Sequence, residues 1–202
     1  MSTPEEENIP TLKLGGRRRT IGYLIPLVNG PLFIWEAYDV YTTLSQGKQW
    51  NTGLFLNDVV ILLVSLALMT IVPRQMPVYT STYSFTEKGL RISRFLKGST
   101  TIPYNKIARA EVYVKNDKSG EVSKDALKYA KDSADALRKS GFKFDDYTND
   151  DDRVALLICD EKIYLLSPAY PKAFIHKLRK KTGKLPAQMI ELTPKGRRTS
   201  EF

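Results

Sequence analysis

The chain has one cysteine and one histidine among its 202 residues. A disulfide framework needs paired cysteines, and a zinc finger or a Cys/His cage needs several ligands, so these classes are excluded. The phosphate loops GxGxxG and GxxxxGK[ST], the HExxH helix and the GxSxG elbow are also missing. Cys159 ends an apolar run, where a buried, inert thiol is expected, and His176 sits beside Lys177 on a surface helix. With no catalytic, metal-binding or cofactor-binding set legible, the sequence reads as a non-enzyme without a cofactor. Charge is scarce in one region too. Residues 1–73 hold five basic and six acidic side chains, a net of −1, so the remaining residues carry +10 of the formal +9 total. The chain is two chemistries in series.

Long apolar runs are present, and they lie in the charge-poor part. Residues 21–35 read IGYLIPLVNGPLFIW without a formal charge, and the run from Thr20 to Thr42 is long enough for a helix of about 34 Å. Pro26, Asn29, Gly30 and Pro31 are expected to kink or interrupt it. A second run, LFLNDVVILLVSLALMTIVP at 54–73, is apolar on every face. With a short link at 43–54, the two predict a transmembrane helical hairpin over residues 20–74, preceded by an N-terminal tail at 1–19. A cleaved signal peptide does not fit, since a second span follows. Lys13, Arg17, Arg18, Arg19 and Arg74 flank the spans while Lys48 alone lies in the link, which predicts both ends inside. Glu36, Asp39 and Asp58 then fall near the outer interface.

Past Pro77 the period drops to two. Runs at 78–85, 90–96, 100–104, 107–114, 154–159 and 163–166 read as six strands joined by tight turns, the first turn being Thr86-Glu87-Lys88-Gly89. Residues 171–181 read as a closing helix, with Phe174 and Leu178 as an i, i+4 apolar pair. An insertion at 115–153 interrupts the strands. Its helix, capped by Ser123 and Gly141, has a stripe of Leu127, Ala130, Ala134 and Leu137 that is expected to bury little. Phe142, Phe144 and Tyr147 are expected to pin the insertion to the sheet. Asp145, Asp146, Asp150, Asp151 and Asp152 read as a solvated acidic loop, because the EF-hand register is absent.

Tyr83-Ser84-Phe85-Thr86-Glu87-Lys88-Gly89-Leu90-Arg91-Ile92, Ile102-Pro103-Tyr104-Asn105-Lys106-Ile107, and Ser167-Pro168 followed by Pro171, Phe174 and Leu178 resemble the prokaryotic pleckstrin-homology-like domain family. The likeness covers about 100 of the 202 residues. It implies an α+β chain: the transmembrane hairpin, then a PH-like small β-barrel or sandwich at 78–182 capped by a C-terminal helix. It also implies an adaptor rather than an enzyme. The 86–89 loop is too short for a phosphoinositide pocket of the kind lipid-binding members carry.

What remains is a basic C-terminus, expected as a flexible tail over 183–202. The expected anionic-surface residues are Arg74, Lys172, Lys177, Arg179, Lys180, Lys181, Lys184, Lys195, Arg197 and Arg198. Under an anionic leaflet each would contribute about 1 kcal/mol. The expectation is therefore a multi-pass protein of a prokaryotic inner membrane, embedded in lipid, with both termini and the PH-like domain cytoplasmic. Its partners would be another protein or anionic headgroups. Two other classes stay open. One is a membrane tether for RNA or the ribosome, which would bind nucleic acid with steep salt dependence. The other is a small transport-related subunit using Glu36, Asp39 or Asp58.

Overall fold

The structure, a computed structural model, describes residues 6–47, 52–115, 125–194 and 196–202. It divides into two compact units, one of residues Gly16–Tyr79 and one combining Met1–Gly15 with Thr80–Phe202.

The first unit holds α1 (Gly16–Ser45) and α2 (Gly53–Gln75), which pack on each other. Pro26 and Pro31 do not break α1, which runs for 30 residues. Proline has no N–H, so Pro26 leaves the Gly22 carbonyl without its helical donor. The Tyr79 hydroxyl approaches that carbonyl at 3.5 Å. Thr52 caps α2 by accepting from the Phe55 N–H at 3.3 Å. Among the described residues α2 is the one helix long and apolar enough to cross a membrane. Of the two such helices expected, α2 alone meets that description by length and composition; prolines, glycines, Asn29 and Glu36 dilute the apolar character of α1. The unit wears its apolar residues outside, with Leu54 81% and Trp35 67% exposed, while Glu36 is only 7% exposed.

The second unit is built on two sheets. Strands β1 (Glu7–Ile9), β2 (Ser81–Phe85), β3 (Leu90–Arg94) and β4 (Gly98–Ile102) form one in that order, all antiparallel. The turn between β2 and β3 is fixed by Thr86, whose hydroxyl donates to the Gly89 carbonyl at 2.7 Å. Gly89 has φ +156°, and a Cβ there would meet the Ile102 carbonyl oxygen at 2.2 Å, so only glycine fits. A 3-10 turn at Tyr104–Lys106 leads to β5 (Ile107–Lys115). After α3 (Ala126–Arg138) come β6 (Lys143–Asp146), β7 (Arg153–Cys159), β8 (Lys162–Leu166), α4 (Pro171–Thr182), β9 (Ala187–Thr193) and β10 (Gly196–Glu201). The second sheet has the order β10-β9-β5-β7-β8-β6.

Period-two alternation sorts this sheet's side chains into two cores. Ala110, Val112, Ala155 and Leu157 point to Tyr83, Leu90 and Ile92 of the first sheet and to Phe174, Ile175 and Leu178 of α4. Tyr113, Leu156, Ile163, Leu165, Ile190 and Leu192 face the other way, onto α3.

All six expected strands and both expected helices of this unit are present, though the first strand begins at Ser81 rather than 78. Three expectations need correction. The residues read as an N-terminal tail contain β1, which pairs with β2 as Glu7↔Phe85 and Ile9↔Tyr83. The 183–202 segment, expected to be flexible, supplies β9 and β10; β9 runs parallel to β5 and buries Met189, Ile190 and Leu192. The expected strands pair antiparallel with one another, while the parallel pairs β5–β9 and β6–β8 each bring in a strand that was not expected. Finally, α3 buries more than its composition suggests. Ala126, Leu127, Ala130 and Ala134 are all buried, because alanine lets a helix approach the sheet closely. Ser123, the expected cap, lies outside the described residues.

Candidate functional site

The acidic stretch after α3 is a buried junction rather than a solvated loop at its first half. Asp145 takes Lys97 at 2.7 Å and Lys162 at 2.5 Å. Asp146 pairs with Lys131 at 3.1 Å and accepts from the Thr148 hydroxyl at 2.6 Å and its N–H at 2.9 Å. The Asp146 carbonyl accepts from the buried Arg94 guanidinium at 2.8 Å. The Asn149 side chain accepts from the Ser81 N–H at 2.7 Å and donates to the Ser81 carbonyl at 2.9 Å and the Leu12 carbonyl at 3.1 Å. Ser167 Oγ accepts from the Asn149 N–H, and the Tyr83 hydroxyl donates to the Tyr147 carbonyl at 2.6 Å. Burial would raise the Asp145 carboxyl, but hydrogen bonds from Lys162 and Lys97 overcome it and hold the group below its usual range. Burial pushes the Lys97 ammonium and the Arg94 guanidinium down. The sequence reading missed this network because five aspartates in eight residues read as solvent-facing; the cue was their spacing to Tyr147, Thr148 and Asn149.

The expected anionic-surface residues are distributed rather than gathered. Arg74 lies in the last turn of α2, in the other unit. At 100° per residue α4 turns Phe174, Ile175 and Leu178 inward, leaving Lys172 and Lys180 outward. Lys177 and Arg179 therefore fall on opposite flanks. Lys177 pairs with Glu7 of β1 and lies 5.7 Å from the Phe85 ring. Lys181, Lys184 and Arg198 are exposed, and Lys195 lies outside the described residues. Arg197 stacks over Tyr129 of α3 at 4.4 Å.

Arg179 is different. It lines a cleft of about 300 Å³ with Arg109 of β5, Leu185, Pro186, Gln188 and the end of β10. Its Nε is buried with no hydrogen-bond partner. A desolvated guanidinium nitrogen without an acceptor is costly. Arg109 enters the same cleft half-exposed, with one partner, Glu111, at 3.0 Å. Glu111 is held in turn by the Tyr113 hydroxyl at 2.7 Å. The sequence reading found Arg179 but not Arg109 or Gln188. The missed signal was the alternation AQMIELT at 187–193 before the turn Thr193-Pro194, which brings Gln188 beside the rim of β5.

The two residues weighed for chemistry are unpromising by geometry. Cys159 is buried, and burial, with Asp160 nearby, pushes its thiol up to about 12. His176 is exposed and meets the Phe202 ring edge-on at 5.4 Å. No group of three or more His, Cys, Asp or Glu able to hold a metal occurs among the described residues.

The class these features define is a mixed α+β protein, with four helices and two sheets among the described residues and, among the same residues, one apolar helix of membrane-spanning length. No protein-family model matches the chain, and neither does any curated protein.

Proposed function

We propose that the protein is a membrane-anchored adaptor: α1 and α2 cross the bilayer as a hairpin, and the β unit is a PH-like module on the cytoplasmic side of a prokaryotic inner membrane that binds another protein. The observation that carries this reading is the pairing of β1 with β2 on either side of Gly16–Tyr79. A segment that leaves one folded body and returns to it crosses a membrane an even number of times. A crossing by α2, the apolar helix, therefore requires a second. At 30 residues α1 is about 45 Å long, ample for a hydrocarbon core of about 30 Å.

The PH-like assignment is supported by the order β2-β3-β4, then the antiparallel neighbours β5, β7 and β8, then α4, whose Phe174, Ile175 and Leu178 join the core between the sheets. The partner surface we favour is β4, which ends its sheet and exposes Gly98, Ser99 and Thr101. An edge strand of this kind can accept an extended segment by strand addition. The module has no catalytic role in this reading, and the exposed lysines of α4 add a nonspecific attraction to anionic lipid.

The test is accessibility of single cysteines in intact cells. Cys159 is buried with a raised thiol pKa and stays silent. Ser45→Cys is expected to react with an impermeant maleimide from outside, and Ser99→Cys only after lysis. Reaction of both from the same side, or release of the protein by alkali, overturns the anchor.

A second reading has one observation in its favour. Glu36 is buried in the helical unit, with Asp58 and Asp39 near enough to interact electrostatically. Buried acids within spans commonly line ion or proton paths, which suits a transport-related subunit. Glu36→Gln without effect on growth or membrane potential removes it. An RNA-tether role has no comparable support, because the basic residues are spread over separate surfaces.

A further inference from the structure

The cleft between β5 and the end of α4 has no part in anchoring or strand addition. We propose that it is a binding site for a small organic monoacid, whose carboxylate is held by Arg109 and Arg179 while its apolar body lies against Leu185 and Pro186.

Three observations carry this. Two guanidinium groups, Arg179 from α4 and Arg109 from β5, converge on the same cleft from different elements, so their charges act on one anion. A guanidinium presents its N–H groups in a planar fork that matches a carboxylate, and Arg109 brings a second fork with one Glu111 contact. The walls include Leu185, buried at 3% exposure, with Pro186 and Ala187, and the volume of about 300 Å³ is at the small end of ligand pockets. Gln188 adds an amide to the rim. Glu201 sets the limit on ligand charge. Its carboxylate also lines the cleft, so a second negative group on the ligand meets repulsion.

The pattern predicts a rank order. Benzoate, with a carboxylate and an apolar body, binds more tightly than acetate, and succinate more weakly than a monoacid of similar size. Benzyl alcohol, lacking the charge, does not bind. The full-length chain in a neutral detergent, at constant ionic strength, is titrated with these four probes by calorimetry.

Arg179→Gln is expected to weaken benzoate at least tenfold and Arg109→Gln several-fold. Glu201→Gln is expected to tighten succinate several-fold. Lys180→Gln, on the outward face of α4, controls for general charge and is expected to change nothing. Arg179→Lys keeps the charge without the fork, so it guards against misfolding of the glutamine variant and should still weaken benzoate. Absence of saturable benzoate binding overturns the proposal. So does an equal loss in Lys180→Gln and Arg179→Gln. Because no membrane is involved, these results are independent of whether α1 and α2 cross a bilayer.

Discussion

The two units of this chain use the same residue types in opposite ways. In the helical unit the large apolar side chains face outward and an acid, Glu36, faces inward. In the β unit Leu90, Ile92, Leu156 and Leu157 are fully buried, and the half-buried Asp145 and the buried Asp146 are each met by lysines. A surface of exposed leucines is stable only where something apolar covers it, whereas a buried carboxylate in a water-borne core needs a cationic partner. In the proposed reading the contrast is one of solvent, with the helical unit in lipid and the β unit in water.

The strongest way to break that contrast is to remove residues 187–202. A flexible tail would be dispensable, but β9 contributes Met189, Ile190 and Leu192 to buried clusters. At roughly 1.5–3 kcal/mol per buried side chain, the β unit should lose about 5 kcal/mol or more and its β5 amides their protection from hydrogen exchange. Protection in α2 should not change.

A matched pair of leucines sharpens the same point. Leu157→Ala is expected to cost about 3 kcal/mol in the denaturant midpoint of the β unit. Leu63→Ala, at an exposed position of α2, should stay within about 0.5 kcal/mol. Equal costs would mean that the helical unit buries Leu63 against protein after all.

The smallest expected effect is electrostatic. The Asp145 carboxyl is held below its unfolded value, so its stabilising contribution is complete above the unfolded pKa of about 4 and is lost as pH falls through the lower folded value. Asp145→Asn should flatten the acid side of the stability profile of the β unit below the unfolded carboxyl pKa of about 4 and leave the alkaline side as it is. A profile whose acid limb is unchanged in this variant assigns the acid sensitivity to other carboxylates.

What was legible in the sequence follows from how local the cause was. Strand 90–94 alternates in burial, 107–114 alternates in residue type and 154–159 is a short continuous apolar run, and such local patterns survive without context. The α4 helix announces itself by Pro171 and the Phe174/Leu178 spacing. Strand β1 is three residues long with a single apolar member, Ile9, so its pairing depends on β2, far away in sequence. Strand β10 is exposed along its whole length and owes its form to β9. The aspartates of β6 look solvated until Lys97, Lys131 and Lys162 are brought around them by the fold. The cleft arginines were half legible for the same reason. Arg179 belongs to a basic run, but Arg109 reads as one polar position in an alternating strand.

Strand β9 also fixes an order of events. Its place beside β5 is a parallel pairing, Ala110↔Ala187 through Lys115↔Leu192, between segments almost eighty residues apart. Strand β1 waits in the same way for β2, whereas α1 and α2 are neighbours in sequence and need only each other. Closing long loops is slow even where its entropy cost grows only gently with length. On the ribosome, then, the helical hairpin can assemble while the β unit is still unfinished, with β1 unpaired and the β5 edge open until residues 187–193 emerge. In the proposed reading the newborn chain is already tethered to the membrane during the interval in which its sheet edges are most exposed to aggregation.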